Sequence, residues 1–237
     1  MDPLNRKTMA GFIEVNNLPS TYFINPTSNR EYKNKQHKII NFLRSIDFQE
    51  IHLPFLIPKK FISPIKDVQG ELFITAFSGK DKRTIYFLKP FCGFFTGIPF
   101  VTNNISSYKQ LPKYFMDKGP LYGNFPKKWQ PLNGSKEDYL GLHGVLISDK
   151  ENMSLLVEKI KKLINFLGLK SIQEHKEQLY KIPCVSFYHQ KTFICACFNF
   201  KDNLGKSFRI YYNTYDQKLK PVFWQSFYIS QNLICLL

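Results

Sequence analysis

Apolar residues recur along this chain with two different periods. Over residues 32–46 they fall at helical spacing, which predicts a helix, and residues 48–54 then alternate in a way that predicts a strand ending at Pro54. A second helical stripe covers residues 156–167 and stops at Gly168. Residues 148–151 have the Ser-x-x-Glu spacing of a capping box, so we expect the second helix to begin there.

Short strand-like segments fill much of the remaining chain. They cover residues 11–15, 72–77, 85–88, 119–125, 139–148, 185–189, 193–200, 208–212 and 222–237, with turns at 79–82, 202–203 and 218–221. A polar stretch containing Pro126 and Pro131 separates the fourth segment from the fifth, which predicts one long antiparallel hairpin with a mobile tip. The order helix, strand, hairpins, helix, strands predicts an α+β fold, an antiparallel sheet flanked by helices.

The length of the chain suits one globular domain. Of its 237 residues, 43% are hydrophobic, which is enough for a core of that size. Residues 1–30 carry scattered Pro and Asn, so we expect an irregular N-terminal leader there and a single domain over residues 31–237. No run approaches the roughly 18 apolar residues that span a bilayer, so no membrane insertion is expected.

Cysteine usage and composition bear on the compartment. The five cysteines are odd in number and include no Cys-x-x-Cys pair, which predicts a reducing compartment rather than a disulfide framework or a zinc ribbon. The 23 Phe and 13 Tyr, with abundant Lys, Asn and Ile, are typical of AT-rich coding sequences. We expect a mitochondrial protein, with the cytoplasm or another reducing compartment as the alternative.

Positive charge dominates the ionisable residues. Lys and Arg outnumber Asp and Glu by 33 to 18, and the net charge of +15 favours a polyanionic partner over a merely soluble basic surface. Residues 80–136 carry ten Lys and Arg against two Asp, interleaved with aromatic rings that either stack on bases or belong to the core. We predict nucleic-acid contacts at Lys80, Lys82, Arg83, Lys109, Lys113, Lys127, Lys128, Trp129 and Lys136.

An ordered series of short segments resembles the catalytic core of class II aminoacyl-tRNA synthetases, most closely the threonyl, prolyl and seryl branch. Residues 46–56 look like motif 1, a helix and strand ending at a proline on the dimer interface, and residues 220–237 resemble the strand and helix of motif 3. Between them lie Leu88-Lys89-Pro90, Ser107-Tyr108-Lys109-Gln110-Leu111-Pro112, Gly119-Pro120-Leu121-Tyr122 and Gly141-Leu142-His143-Gly144-Val145, the last resembling the return strand of motif 2. The resemblance covers about residues 32–237 and implies the class II fold.

Departures from the family pattern imply that the chain is not an enzyme. Where motif 2 carries Arg-x-Glu, this sequence has Gly123, Asn124 and Phe125, and residues 230–233 replace the Gly-x-Glu-Arg-like element of motif 3 with Ser-Gln-Asn-Leu. Forming an adenylate requires positive charge where negative charge develops, and losing one such donor costs about two to three orders of magnitude in rate. We therefore expect a pseudoenzyme with no catalytic residue and no cofactor.

Two further features of the family are not matched. Cys92 falls near the zinc-binding cysteine of threonyl enzymes but is shifted by one place and lacks matching histidines, with His143 and His189 as the only weak candidates, so no metal is expected. The sequence also stops where the family continues into an anticodon-binding domain, so we expect a single domain without one.

Three functions remain open at this stage. The first is an RNA-binding component of a ribonucleoprotein such as a mitochondrial ribosome, with structured RNA and protein subunits as partners. The second is a protein-binding accessory subunit, similar to the synthetase-like accessory factor of the mitochondrial DNA polymerase, with Phe48, Glu50 and Pro54 of motif 1 at a partner or homodimer interface. The third is a divergent enzyme of the synthetase type, for which no nucleophile and base pair is evident.

Overall fold

The computed structural model describes residues 12–14, 22–59, 75–77, 85–91, 105–131, 137–179, 181–200 and 204–237, with the backbone alone at 12–14, 22–23 and 75–77. A seven-stranded sheet lies at the centre of these residues. In order across the sheet its strands are β11 (Ile172–Leu179), β12 (Ile182–His189), β13 (Thr192–Asn199), β16 (Phe223–Ile229), β10 (Leu142–Ser148), β7 (Lys113–Lys118) and β3 (Gln49–Glu50). Every neighbouring pair is antiparallel except β3 and β7, which are parallel.

Smaller sheets surround the central one. They pair β1 (Phe12–Glu14) with β2 (Tyr22–Ile24), β8 (Leu121–Tyr122) with β9 (Glu137–Asp138), and β14 (Tyr211–Asn213) with β15 (Leu219–Pro221). A further sheet joins β4 (Leu56–Pro58), β6 (Ile85–Leu88) and β5 (Thr75–Phe77). The antiparallel pairing of β5 with β6 confirms the hairpin predicted across residues 79–82, and β1 confirms the strand predicted at residues 11–15.

Four α-helices are described, α1 (Pro26–Ser45), α2 (Met153–Phe166), α3 (Leu204–Ser207) and α4 (Gln231–Leu236), together with two short 3-10 helices, Tyr108–Gln110 and Lys127–Trp129. Helix α1 starts earlier than residue 32, because Asn25 accepts a hydrogen bond from the N–H of Ser28 and Pro26 suits the first helical position. Residues 26–30, assigned from sequence to the leader, are thus its first turns. The α+β prediction, an antiparallel sheet with helices packed on it, is confirmed.

The predicted capping box at residues 148–151 is wrong. Helix α2 begins at Met153, behind an Asn152 whose side chain makes no capping bond. The Ser148 hydroxyl donates to the carbonyl of Lys150, and the Glu151 carboxylate accepts from the amide of Asn199. Both side chains of the supposed box are therefore engaged elsewhere.

The long predicted hairpin forms, with shifted limits. Strands β7 and β10 pair from Lys113 opposite Ile147 to Lys118 opposite Leu142, and β8 with β9 extends them towards the tip. The first arm thus begins six residues before the predicted residue 119. Residues 219–221, predicted as a turn, form β15, and residues 222–237 divide into strand β16 and helix α4.

One face of the central sheet packs against α1, α2 and α4. Within the sheet, Gly144 of β10 lies close to its neighbours on β16 and β7. A Cβ added there would lie 2.2 Å from the ring of Phe227 and 2.6 Å from the carbonyl oxygen of Phe115. Glycine is needed here because the Phe227 ring occupies the space of a side chain. None of the helices in the described ranges is long and apolar enough to cross a bilayer.

Candidate functional site

The face of the sheet that turns away from the long helices is covered by a layer of aromatic side chains, which we call the aromatic layer. Each of its members is at most 8% exposed. They are Phe91, Phe125, Trp129, Tyr188, Phe193, Phe198 and Tyr228. Strands β12, β13 and β16 supply four of them, and the others come from the segment after β6 and from the connection between β8 and β9. The layer therefore joins the hairpin tip to the centre of the sheet.

Trp129 is the link from the hairpin tip. It ends a short 3-10 helix (Lys127–Trp129), is 1% exposed, and lies parallel to the ring of Phe193 with 4.4 Å between ring centres. Its indole Nε1–H donates to the hydroxyl of Tyr188 over 3.0 Å. We predicted that this ring would stack on a nucleic-acid base, but a buried ring whose neighbours are core residues has no face open to one.

Hydrogen bonds also tie the segment around Trp129 to strands β12 and β11. The hydroxyl of Tyr188 donates onward to Oε1 of Glu177 on β11 over 3.2 Å, and the ammonium of Lys128 pairs with the same carboxylate. Burial raises the pKa of Tyr188, so its hydroxyl keeps its proton and can donate. Residues 127–129 of the connection are thus fixed by a chain of bonds from Trp129 to Glu177 as well as by packing.

Lys89, Asp117 and His143 form a buried cluster of ionisable side chains, in which Asp117 of β7 lies opposite His143 of β10. The carboxylate Oδ2 of Asp117 lies 2.9 Å from Nζ of Lys89 and 3.3 Å from Nε2 of His143, and none of the three side chains is more than 5% exposed. Burial by itself would raise the pKa of Asp117, but the hydrogen bond to His143 and the charge of Lys89 outweigh it and lower that pKa to about 2. Burial lowers the pKa of His143.

Asp138 joins the hairpin to helix α4. Its Oδ2 accepts from the hydroxyl of Tyr228 over 2.5 Å and from the backbone N–H of Gln231 over 2.9 Å, and Oδ1 accepts from the N–H of Leu140 over 3.2 Å. Burial raises the pKa of this carboxyl to about 6, against the lowering effect of these donors. The bonds hold strand β9, strand β16 and the start of α4 together at one side chain.

Comparison with known proteins identifies the architecture. No family model and no curated protein matches the sequence. Among solved structures, a Giardia lamblia prolyl-tRNA synthetase in complex with prolyl-adenylate superposes with a TM-score of 0.80 over 94% of this chain. The chain has the fold of a class II aminoacyl-tRNA synthetase catalytic core. The sequence identity to the Giardia enzyme is 12%.

Two Cryptosporidium parvum prolyl-tRNA synthetase structures give the same synthetase-like fold. The complex with L-proline and AMP has a TM-score of 0.77 at 13% identity, and the complex with halofuginone and AMPPNP has 0.78 at 14% identity. Each superposition covers 94% of this chain. The chain spans about half the length of these synthetases, 48–50% of each Cryptosporidium chain and 49% of the Giardia chain.

Within the synthetase-like fold, the positions that the motif resemblance assigns to the ATP-binding arginines carry no charge. At motif 2, Gly123 is buried and Phe125 packs on Phe91 with 4.5 Å between ring centres. At motif 3, the Ser230 side chain caps α4 and the side chain of Leu233 is fully buried among the helices. Both positions now serve the packing of the core.

The predicted nucleic-acid residues that the structure describes are spread widely over the molecule. Lys109 and Lys127 are exposed, Lys128 is exposed but paired with Glu177, and Lys113 is half-buried. Lys113 lies on β7 and Lys128 above β11, five strand positions across the sheet, which corresponds to about 24 Å. Lys80, Lys82, Arg83 and Lys136 lie outside the described residues.

The predicted motif 1 interface is only partly at the surface. Phe48 is 2% exposed and packs edge-on against Tyr114 and Phe227, so it is a core residue and not an interface residue. Glu50 pairs with Lys118 and Arg44, and the hydrogen bond from Lys118 lowers its pKa. Pro54 is exposed as expected.

Sequence reasoning missed Phe55 and Leu56, which directly follow Pro54. They are 42% and 45% exposed, among the few large apolar side chains on the described surface. Three consecutive apolar residues follow Pro54 in the sequence, and the structure buries only the third, Ile57. Leu56 begins β4 and pairs with Leu88 of β6, and the ring of Phe55 meets that of Tyr122 edge-on with 5.3 Å between ring centres.

The described residues contain no group of three or more His, Cys, Asp or Glu side chains arranged to hold a metal ion. His143 is committed to the cluster with Asp117, and the imidazole of His189 faces the carbonyl of Lys170 at 3.0 Å. Cys92 lies outside the described residues.

Proposed function

We propose that this chain is a non-catalytic protein with a synthetase-like fold that binds structured RNA, as a component of a ribonucleoprotein such as a mitochondrial ribosome. The observation that carries the non-catalytic part is the aromatic layer. Motifs 2 and 3, to which the resemblance assigns ATP, correspond to the β7–β10 hairpin and to β16 with α4, and these are neighbours in the sheet. Phe125 and Tyr228 meet between them with 5.9 Å between ring centres.

Burial makes the aromatic layer a poor substrate surface. An adenylate site needs room for a nucleotide and cations directed at its phosphates. Here Phe91, Phe125 and Tyr228 are in mutual contact and Trp129 lies against Phe193, so the rings fill the space that a ligand would need. The nearby ammonium of Lys89 is neutralised by Asp117.

RNA is the partner that the charge favours. The net charge of +15 attracts polyanions, and the fold of a tRNA-charging enzyme core is compatible with an RNA partner. Lys127 at the hairpin tip is exposed and has no carboxylate within 4 Å among the described residues. Lys136, in the same connection, adds a further positive charge to it.

The test is the salt dependence of RNA binding. The triple variant Lys127→Ala, Lys128→Ala, Lys136→Ala should bind a transfer-RNA-sized structured RNA more weakly. The slope of log affinity against log salt should become shallower by roughly one unit for each lost phosphate contact. The matched control replaces the exposed turn lysines Lys170, Lys181 and Lys191 with Ala and should retain both affinity and slope.

Equal affinity of the parent and the hairpin variant at every salt concentration would remove the hairpin tip from the RNA surface. A parent protein that binds no RNA at 50 mM salt would reject the RNA part of the proposal. Thermal unfolding of both triple variants checks that the fold is kept, because exposed lysines contribute little to stability.

A second candidate function, a protein-binding accessory subunit, is favoured by Phe55 and Leu56. Their exposed side chains, at the end of the motif 1 segment, offer an apolar contact to another chain, and a homodimer through motif 1 is the simplest form. The double variant Phe55→Ser, Leu56→Ser should then dissociate the assembly in sedimentation velocity. A parent that is monomeric at micromolar concentration would count against the homodimer.

A further inference from the structure

A groove runs between α1 and the end of α2, on the helical side of the sheet and away from the aromatic layer. Its volume is ≈ 520 Å³. The side chains that line it include Asn34, His37, Lys38, Asn41, Phe42 and Phe166. An apolar ring, amides and a cation thus converge in a concave surface large enough for a nucleobase.

The apolar element of the groove is Phe166, the last residue of α2. Its side chain is 49% exposed although it is a phenylalanine, and it stacks on Phe42 of α1 with 4.6 Å between ring centres and 28° between ring planes. The ammonium of Lys38 lies 5.5 Å from the ring centre. Phe42 fixes the orientation of the Phe166 ring, so little conformational entropy would be lost when a planar ligand stacks on it.

The polar elements lie in one stripe of α1. Asn34, His37, Lys38 and Asn41 recur at spacings of three and four residues, which places them on one face of the helix. Arg30 lies one turn before Asn34 on the same face. Amide and imidazole groups can donate and accept hydrogen bonds at the edge of a base, and the cations can reach phosphates on either side.

Charge distinguishes this surface from an ordinary solvated helix. Helix α1 carries five Lys and Arg against a single Glu. Lys35 pairs with Glu31 and Arg44 with Glu50, whereas Arg30, Lys33 and Lys38 have no carboxylate within 4 Å among the described residues. One of these cations, Lys38, lies beside the exposed ring, and Arg30 and Lys33 add unneutralised charge nearer the start of the same helix.

We propose that this groove is a binding site for an unpaired base of single-stranded RNA, which stacks on Phe166 while Asn34 and Asn41 contact its edge and Arg30 and Lys38 its phosphates. The proposal rests on the RNA binding proposed above but concerns a different surface. A protein partner fits less well, because one exposed ring among amides and cations offers little of the apolar area that a stable interface buries.

The experiment measures the binding of a ten-nucleotide single-stranded RNA containing one 4-thiouridine, by fluorescence anisotropy and by photocrosslinking. We expect Phe166→Ala to weaken binding about tenfold, because stacking on an aromatic ring contributes that much per base. Phe166→Leu, which keeps an apolar side chain of similar size but no ring, should lose as much, and Phe166→Trp should retain the affinity. The crosslink should map to residues 30–45 or to Phe166.

Leu219→Ala is the matched control. Leu219 is a 65% exposed apolar residue on β15, in the small β14–β15 sheet, and does not line the groove. It should leave binding unchanged. Circular dichroism and thermal unfolding verify the fold of each variant.

The outcomes separate this inference from the proposed function. If the Phe166 variants bind the single strand like the parent, the groove inference is overturned, and loss of structured-RNA binding in the hairpin-tip variant would still support the proposed function. A parent that binds no RNA overturns both. If Phe166→Ala instead abolishes self-association and Phe166→Leu restores it, the groove is a protein interface and the inference is overturned.

Discussion

The indole of Trp129 and the ring of Phe193 lie parallel, with 4.4 Å between their centres and 10° between their planes. Trp129 belongs to the tip of the β7–β10 hairpin and Phe193 to strand β13, so the contact ties the tip to a different part of the sheet. The part of the tip around Trp129, held by this buried stacking, belongs to the core.

This contact predicts a large stability effect. Trp129→Ala should lower the free energy of unfolding by about 3–5 kcal/mol, as is usual when a fully buried large aromatic residue is truncated. Trp129→Phe keeps a stacked ring but loses the hydrogen bond to Tyr188, so its cost should be smaller. Urea unfolding measures both. A Trp129→Ala cost below about 1 kcal/mol would mean that the tip is not integrated into the core.

The filled face of the sheet predicts the absence of adenylation. The purified protein should show no amino-acid-dependent exchange of pyrophosphate into ATP with any of the twenty amino acids, and no ATP binding by calorimetry at millimolar concentration. The physical reasons are the uncharged Gly123 and Leu233 positions and the burial of Phe125 and Tyr228 between the two motifs. A prolyl-tRNA synthetase assayed in parallel is the control. Exchange above background would refute the pseudoenzyme proposal.

The cluster around Asp117 predicts a loss of stability in acid. The pKa of Asp117 is lowered from its usual 3.8 to about 2, so its contribution is complete above about pH 4 and is lost as the pH falls towards 2. Burial also lowers the pKa of His143, so protonation of this histidine in acid costs stability in the same direction. We expect the free energy of unfolding to fall by about 2 kcal/mol through Asp117 alone between pH 4 and 2.

Asp117→Asn is the variant that isolates this contribution. It should be less stable than the parent at pH 7, by about 3–5 kcal/mol, because Lys89 then lies buried beside a neutral partner. Between pH 4 and 2 its stability should change less than that of the parent. Parallel pH profiles of the two proteins over that interval would show that Asp117 is not the titrating group.

Replacing Gly144 or Gly168 with Ala should lower the stability of the protein by different amounts. Gly144→Ala places a Cβ 2.2 Å from the Phe227 ring and should destabilise the protein by about 1–3 kcal/mol or more, because both β10 and β16 are fixed by the sheet. Gly168→Ala meets no atom within 4 Å and costs only the strain of a positive φ, 74°, about 1 kcal/mol. Thermal unfolding of both variants tests the difference. Equal costs would mean that β10 shifts to make room.

The amphipathic stripes predicted the two long helices and their packing on the sheet, because periodicity reports which face of an element is buried. Their starts were harder to predict, since the capping bond of Asn25 and the engagement of Glu151 with Asn199 depend on single side chains. A capping motif in sequence is only one of several hydrogen-bonding choices open to those residues.

The candidate site was predictable only in part. The sequence shows uncharged residues, Gly123 and Leu233, where the motif resemblance places arginines. Nothing in the sequence indicated that Trp129 turns inward while Phe166 remains outside. Aromatic residues follow the same local pattern in either position, and the difference arises from contacts such as Trp129 with Phe193 that join distant segments. The burial of Phe48 has the same origin.

Strand β16 lies in the middle of the central sheet, between β13 and β10, although it is the last strand along the chain. During synthesis, β10 and β13 therefore emerge without the strand that separates them, and the sheet can close only after residues 223–229 have been made. Until then the edges of two buried strands and the apolar face beneath α1 and α2 remain uncovered, a state that favours chaperone binding and aggregation. The pairings β3–β7 and β10–β16 also join segments that are far apart along the chain, so closure should be slow compared with the folding of helical domains of this size.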